Sequence, residues 1–83
     1  MDHVYLITVK ATCWITQIAV GHLTKVFETL NGWSSHKGME HVDVNDRKAE
    51  DIRRYFHLDQ HGTYTMVSTE GGPMVQITRH KVL

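Results

Sequence analysis

The stretch from Ile15 to Leu30 constrains the fold of this chain more than any other. Its apolar residues recur at the i, i+3, i+4 spacing of one helix face. That stripe comprises Ile15, Ile18, Ala19, Leu23, Val26, Phe27 and Leu30. Asn31-Gly32 follows it, and both residue types tolerate the left-handed backbone conformation at which many helices end. The pattern predicts an amphipathic helix over 15–30 that buries its stripe against another apolar element.

The other hydrophobic segments are short and typical of strands. Residues 3–11 alternate, with Tyr5, Ile7 and Val9 on one face, and are rich in β-branched side chains. Residues 63–69 and 74–81 are predicted to be two strands of a hairpin. The Gly71-Gly72 pair suits a two-residue hairpin loop, which would place Met66 opposite Ile77.

A second helix is predicted over 45–58. Asn45 is a suitable N-cap, and Asp46 places an acid in the first turn. The apolar positions of this helix are Ala49, Ile52, Tyr55 and Phe56. The remaining surface carries two charge pairs at i, i+4 spacing, Arg47/Asp51 and Glu50/Arg54. Between the helices, 39–44 is interpreted as a short strand.

These elements predict an α+β fold in the order β-α-(β)-α-β-β. A chain of 83 residues is expected to form a single small globular domain over 1–83. Each helix has one apolar stripe to bury, so we expect a three- or four-stranded, mostly antiparallel sheet with two helices packed on one face.

The composition argues against several classes of protein. Lysine plus arginine and aspartate plus glutamate number nine each, without the basic excess typical of phosphate-backbone binding. A single cysteine excludes an intrachain disulfide. No signal peptide or membrane-spanning run is evident, so we expect a cytoplasmic protein that does not bind a membrane.

No catalytic motif is recognisable, and we therefore expect neither an enzyme nor a cofactor. Cys13 has no partner base that the sequence can identify, and we interpret it as a structural thiol. The seven histidines lack the spacing of a metal site, so no metal is predicted. His22 falls within the stripe of the first predicted helix, which places it at the edge of the core.

Two sets of residues are candidates for binding a protein partner. If both helices cover one sheet face, the opposite face is left bare and carries an apolar patch. That patch comprises Val4, Leu6, Val67 and Met74. The second set is Trp14 and Trp33, at opposite ends of the first predicted helix, because tryptophan is enriched at binding hot spots.

The preferred hypothesis is a non-enzymatic protein-binding module that occupies a surface of an unidentified partner, with a homodimer through the bare face as one form. Small neutral chains without sites are common among phage and mobile-element accessory proteins that inhibit host systems, anti-CRISPR proteins among them. The alternative is a small nucleic-acid-binding regulator that uses helix 45–58 and the 63–81 hairpin. Its contacts would be Arg47, Lys48, Arg53 and Arg54.

Overall fold

The computed structural model describes residues 3–58, 62–68 and 71–81. Within these ranges the strands are β1 (His3–Lys10), β2 (Ile15–Val20), β3 (Thr63–Met66) and β4 (Met74–Lys81). The helices are α1 (Leu23–Ser34) and α2 (Asp46–Leu58), with a 3-10 helix at Glu40–Val42 between them.

The strands form one antiparallel sheet in the order β2-β1-β4-β3. The sheet consists of two hairpins, β1–β2 and β3–β4. They are joined by the central pair β1–β4, which brings the first and last strands of the chain together. Side chains of both helices belong to a single core cluster with one face of the sheet. The predicted α+β class, with four strands and two helices on one face, is confirmed.

The predicted helix over 15–30 is wrong in its first half. Residues Ile15–Val20 form strand β2, and α1 begins only at Leu23 and continues to Ser34, beyond the predicted stop at Asn31-Gly32. Short apolar runs fit both periodicities, and β-branched side chains favour the strand. Backbone pairing decides between helix and strand here. Strand β1 lies one tight turn away, and Ile18 pairs with Ile7.

The predicted second helix is confirmed at Asp46–Leu58. Its N-cap is also confirmed, because Asn45 Oδ1 accepts a hydrogen bond from the backbone N–H of Lys48 at 2.8 Å. The buried residues of α2 are Ala49, Ile52 and Phe56. The short strand expected over 39–44 is wrong, since Glu40–Val42 is a 3-10 helix. Neither predicted i, i+4 charge pair closes among the described side chains, whereas Lys25 Nζ lies 3.3 Å from Glu28 on α1.

The hairpin of β3 and β4 has a longer connection than the sequence predicts. Met66 pairs with Val75 and Tyr64 with Ile77, so the register is shifted by two residues from the expected pairing of Met66 with Ile77. Because side chains alternate with a period of two, this even shift leaves the paired side chains of β3 and β4 on their predicted faces. Of the predicted strand over 63–69, Thr63–Met66 is paired.

The core lies between the covered face of the sheet and the two helices. Strand residues Tyr5, Ile7, Val75 and Ile77 pack in the same cluster as the helix residues. The contribution of α1 is Val26, Phe27 and Leu30. The Phe56 ring packs edge-on against Tyr5, with ring centroids 5.6 Å apart. In the part of the chain that the structure describes, neither helix is long and apolar enough to span a bilayer.

Candidate functional site

Trp14 and Trp33 line the same pocket, although 19 positions separate them in the chain. The pocket is an open cavity of about 430 Å³. The residues that line it are Val9, Trp14, Thr16, Ile18, Trp33, His36, Lys37, Met39 and Pro73. Its volume is within the range of sites that hold a small ligand or a large side chain.

The β1–β2 turn positions Trp14. The backbone N–H of Ala11 donates to the carbonyl of Trp14 at 2.9 Å, which closes the turn and starts β2. The Trp14 side chain remains 52% exposed. Thr16 and Ile18 extend the same wall, because they pair with the core residues Val9 and Ile7 and therefore share their face of the sheet.

The end of α1 positions Trp33 and the opposite wall. The N–H of His36 donates to the carbonyl of Trp33 at 2.9 Å, and the N–H of Met39 donates to the carbonyl of His36 at 3.0 Å. Gly38 completes this compact turn at φ +88°, a conformation that favours glycine. Its N–H donates to the Glu40 carboxylate at 3.1 Å, which fixes the turn.

The segment before β4 closes the third side of the pocket. His41 Nε2 lies 2.9 Å from the carbonyl of Pro73, so the 3-10 helix holds this segment in place. Gly72 approaches the turn closely, and a Cβ there would lie 3.0 Å from the Ser68 Cβ and 3.3 Å from the Gly38 carbonyl. This proximity lets Pro73 reach the pocket.

The pocket stays open because α1 does not cover the start of β2. Val26 and Leu30 on α1 are fully buried in the core. Ile18, on the face of the sheet that the helices cover, is 36% exposed. The described lining contains two basic side chains, His36 and Lys37, and no carboxylate. The site is therefore an apolar depression with a basic rim.

The bare sheet face exists, but its apolar residues do not form the contiguous patch that the sequence predicts. Val4 and Leu6 lie at one end of this face, and Met74 lies at the other end, opposite Lys10. A polar row separates the two ends. It comprises Gln17, Thr8, Gln76 and Thr65.

Within this row, Gln17 Nε2 donates to Thr8 Oγ1 at 3.2 Å. Val67 follows β3 and is 61% exposed. The sequence also offers Val82-Leu83 as a cover for this face, and those residues lie outside the described ranges. The tryptophan pocket is consequently the more concentrated apolar site.

The four basic residues of the nucleic-acid alternative do not form one uniform basic surface. Lys48 Nζ donates to the carbonyl of His41 at 3.0 Å, and the Arg53 guanidinium lies 5.0 Å from the centre of the Phe27 ring. Arg47 and Arg54 are exposed on α2, where Glu50 and Asp51 are exposed as well. Two of the four cations thus contact their own chain.

The other candidates for chemistry are dispersed. His22 is exposed at the N-cap of α1, so its predicted position at the edge of the core is wrong. Cys13 lies exposed in the β1–β2 turn, before β2 and not at the start of a helix. Among the described residues, no group of three or more His, Cys, Asp or Glu side chains could hold a metal ion. His61, which the sequence places in a turn, lies outside the described ranges.

One tyrosine is electrostatically perturbed. Burial raises the pKa of Tyr64 above its ordinary value of 10.0, and the nearby Asp51 carboxylate raises it further. The Tyr64 ring packs edge-on against Tyr55, whose hydroxyl donates to the carbonyl of Thr63 at 2.7 Å. This cluster stabilises the contact between α2 and β3 and lies away from the pocket lining.

Sequence reasoning named both tryptophans but placed them at opposite ends of one helix. It missed Thr16, Ile18, Met39 and Pro73 as neighbours of these rings, because the pocket exists only once 15–20 is a strand. No protein-family model matches the chain, and no curated protein or solved structure shows significant similarity to it.

Proposed function

We propose that this protein is a non-enzymatic protein-binding module and that the pocket between Trp14 and Trp33 is its contact site. The observation that supports this proposal is the convergence of both tryptophans of the chain on one open apolar depression. Tryptophan is enriched among the hot-spot residues of protein interfaces, and such residues cluster in well-packed pockets.

The chemistry of the pocket defines the partner segment. Trp14, Ile18 and Met39 favour an aliphatic or aromatic anchor side chain, because they offer apolar surface to be desolvated. His36 and Lys37 favour an acidic residue next to that anchor, since no carboxylate of the described lining opposes it. The occupant is therefore a protein segment with an apolar anchor flanked by aspartate or glutamate.

The size of the chain and its free thiol suggest a cellular setting for this activity. We propose that it acts in a reducing cytoplasm, which suits an exposed free thiol at Cys13. We further propose that it inhibits a host system by occupying a surface of its partner, as a phage or mobile-element accessory protein of the anti-CRISPR kind would. The small size of the chain supports this part of the proposal, and no residue is assigned to it.

The test combines affinity capture with tryptophan fluorescence. Tagged wild-type protein and the variants Trp14→Ala and Lys37→Glu are incubated with a lysate of the native host, and captured proteins are identified by mass spectrometry. Leu58→Ala is the matched control, because Leu58 is an apolar residue on α2, 78% exposed and outside the pocket lining. A nuclease-treated lysate is run in parallel.

We expect one captured protein to be retained by wild type and Leu58→Ala and lost from both pocket variants. With that protein purified, Trp14→Ala should weaken binding about 30-fold, the loss typical of a hot-spot residue. Wild-type fluorescence should shift to shorter wavelength as the indoles lose water. Capture that survives both pocket variants would contradict the assigned site, and capture abolished by nuclease would favour the nucleic-acid alternative.

A further inference from the structure

Strand β2 is an edge strand without the usual protection against pairing. It lies at one end of the sheet order, and five of its six residues are exposed. Its sequence, Ile-Thr-Gln-Ile-Ala-Val, contains no charged residue and no proline. Proteins commonly protect edge strands with lysine, proline, a bulge or a very short length, because free backbone groups accept another strand. None of these features is present in β2.

The hydrogen bonds of the β1–β2 hairpin show which backbone groups of β2 have no partner among the described residues. The N–H of Ala11 donates to the carbonyl of Trp14, so these two residues form a hydrogen-bonded pair. Such pairs alternate along an antiparallel ladder, so Thr16, Ile18 and Val20 direct their N–H and C=O groups at β1. The residues between them direct theirs at the open edge. They are Ile15, Gln17 and Ala19.

A second copy of this strand matches the open edge. Consider two copies of β2 that are related by a two-fold axis and paired antiparallel, so that the sheet continues. Residues that lie opposite one another are then on the same face of the sheet, and the sum of their two residue numbers is even. A sum of 34 places Gln17 opposite itself and Ile15 opposite Ala19. All three free residues then lie in hydrogen-bonded pairs, and their N–H and C=O groups make six hydrogen bonds. In the register with a sum of 36, Ile15 would lie opposite Gly21, which is outside the strand.

The side chains fit the same register. On the bare face, each Ile15 lies beside an Ala19 of the other copy, a large residue against a small one. On the covered face, each Thr16 lies opposite an Ile18, and β-branched pairs of this kind stabilise antiparallel strands. No like charges meet across the axis, since β2 has none. Strand β3, at the other edge, is shorter, with four residues.

We infer that this protein forms a two-fold homodimer in which β2 pairs with β2 of a second copy, with Gln17 on the axis, to give one eight-stranded sheet. This inference goes beyond the proposed function. It also places the two tryptophan pockets side by side, because Thr16 and Ile18 line each pocket and meet across the axis. The interface comprises one short strand from each copy, so the dimer fraction is expected to fall on dilution.

The axis position allows a charge-swap test. Gln17 is exposed, and its side chain lies on the bare face, outside the pocket lining. Gln17→Lys and Gln17→Glu each place like charges directly opposite one another, whereas a mixture of the two variants pairs opposite charges. The matched control is Thr65→Lys and Thr65→Glu, on the same face at the other edge. Light scattering from about 10 µM to about 1 mM measures the dimer fraction, and circular dichroism verifies that each variant is folded.

We expect wild type and both Thr65 variants to dimerise. Each Gln17 variant alone should raise the dissociation constant about fivefold or more, and the equimolar mixture should restore the dimer. A folded wild type that stays monomeric at the highest concentration would overturn the inference, and would leave the edge to a strand of another protein. A dimer unaffected by the Gln17 variants, or a mixture that stays monomeric, would also overturn it. None of these outcomes changes the result expected for the pocket variants Trp14→Ala and Lys37→Glu, so the two proposals are tested separately.

Discussion

Single side chains connect the parts of this molecule that the sheet does not join. Asn31, on the last turns of α1, accepts a hydrogen bond at Oδ1 from the backbone N–H of Val44 at 2.7 Å. That bond holds the chain between the 3-10 helix and α2 against α1, and Val44 itself is buried. Asn31 was predicted to terminate a helix, whereas in the structure it has this bridging role.

Asn31→Ala should destabilise the protein by about 1–3 kcal/mol, because it leaves the N–H of the buried Val44 without its acceptor. Chemical denaturation monitored by circular dichroism measures the change. Thr24→Ala, at an exposed position on the same helix, serves as the control and should be nearly neutral. Equal effects of the two variants would show that the bond to Val44 contributes nothing to stability.

Tyr64 contributes to the response of stability to alkaline pH. Its pKa is raised in the folded state, so the folded protein holds this proton more tightly than the unfolded chain does. Its contribution is therefore fully present below the ordinary tyrosine pKa and is lost as pH rises through the raised value. We expect the free energy of unfolding to fall above about pH 10.

Tyr64→Phe should reduce that alkaline loss of stability, because the ring is retained and the ionisable hydroxyl is removed. Urea denaturation between about pH 8 and pH 11 tests this expectation. Tyr55→Phe is the comparison, since it removes the hydrogen bond to the Thr63 carbonyl and leaves Tyr64 in place. An unchanged pH profile in Tyr64→Phe would contradict the assignment of the effect to this residue.

At the scale of elements, β2 is where local pattern and tertiary pairing disagree. The apolar spacing of 15–30 fits a helix continuously, yet the chain divides it into a strand and a helix around Gly21-His22. Four of the six residues in β2 are β-branched, which lowers helix propensity and suits a pleated surface. Pairing with β1 then provides backbone partners at short range, and α1 retains a buried stripe of its own.

Hydrogen exchange distinguishes these two assignments directly. In a folded Gln17→Lys variant, the amides of Thr16, Ile18 and Val20 should exchange at least about tenfold more slowly than those of Gln17 and Ala19. A helix over the same residues would protect consecutive amides and not alternate ones. NMR-detected exchange measures each rate, and the amides of Val26 and Phe27 within α1 provide the reference for continuous protection.

At the scale of the whole molecule, charge is balanced and dispersed. The chain has nine lysine or arginine residues and nine aspartate or glutamate residues, and the exposed cations of α2 are interspersed with exposed acids. A surface of this kind lacks the electrostatic attraction that dominates binding to a phosphate backbone. The apolar pocket and the β2 edge are the larger departures from an ordinary protein surface.

We therefore expect weak retention on duplex DNA. Fluorescence anisotropy with a labelled duplex should give a dissociation constant no tighter than about 10⁻⁴ M at physiological salt. Arg47→Ala/Arg54→Ala, which removes two exposed cations of α2, should change this value little. Tight binding with a steep salt dependence that the double variant reduces would instead support the regulator hypothesis.

Local patterns by themselves determined much of this protein. Alternating residues specified β1 and β4, and the apolar stripe and Asn45 specified α2, because these signals depend on neighbours in sequence. The tertiary structure alone decided that 15–20 is a strand and that the β3–β4 register is shifted by two residues. It also decided that Trp14 and Trp33 line one pocket. Each of these outcomes depends on which other segment a residue pairs with or packs against, and the periodicity within one segment does not encode the position of that partner.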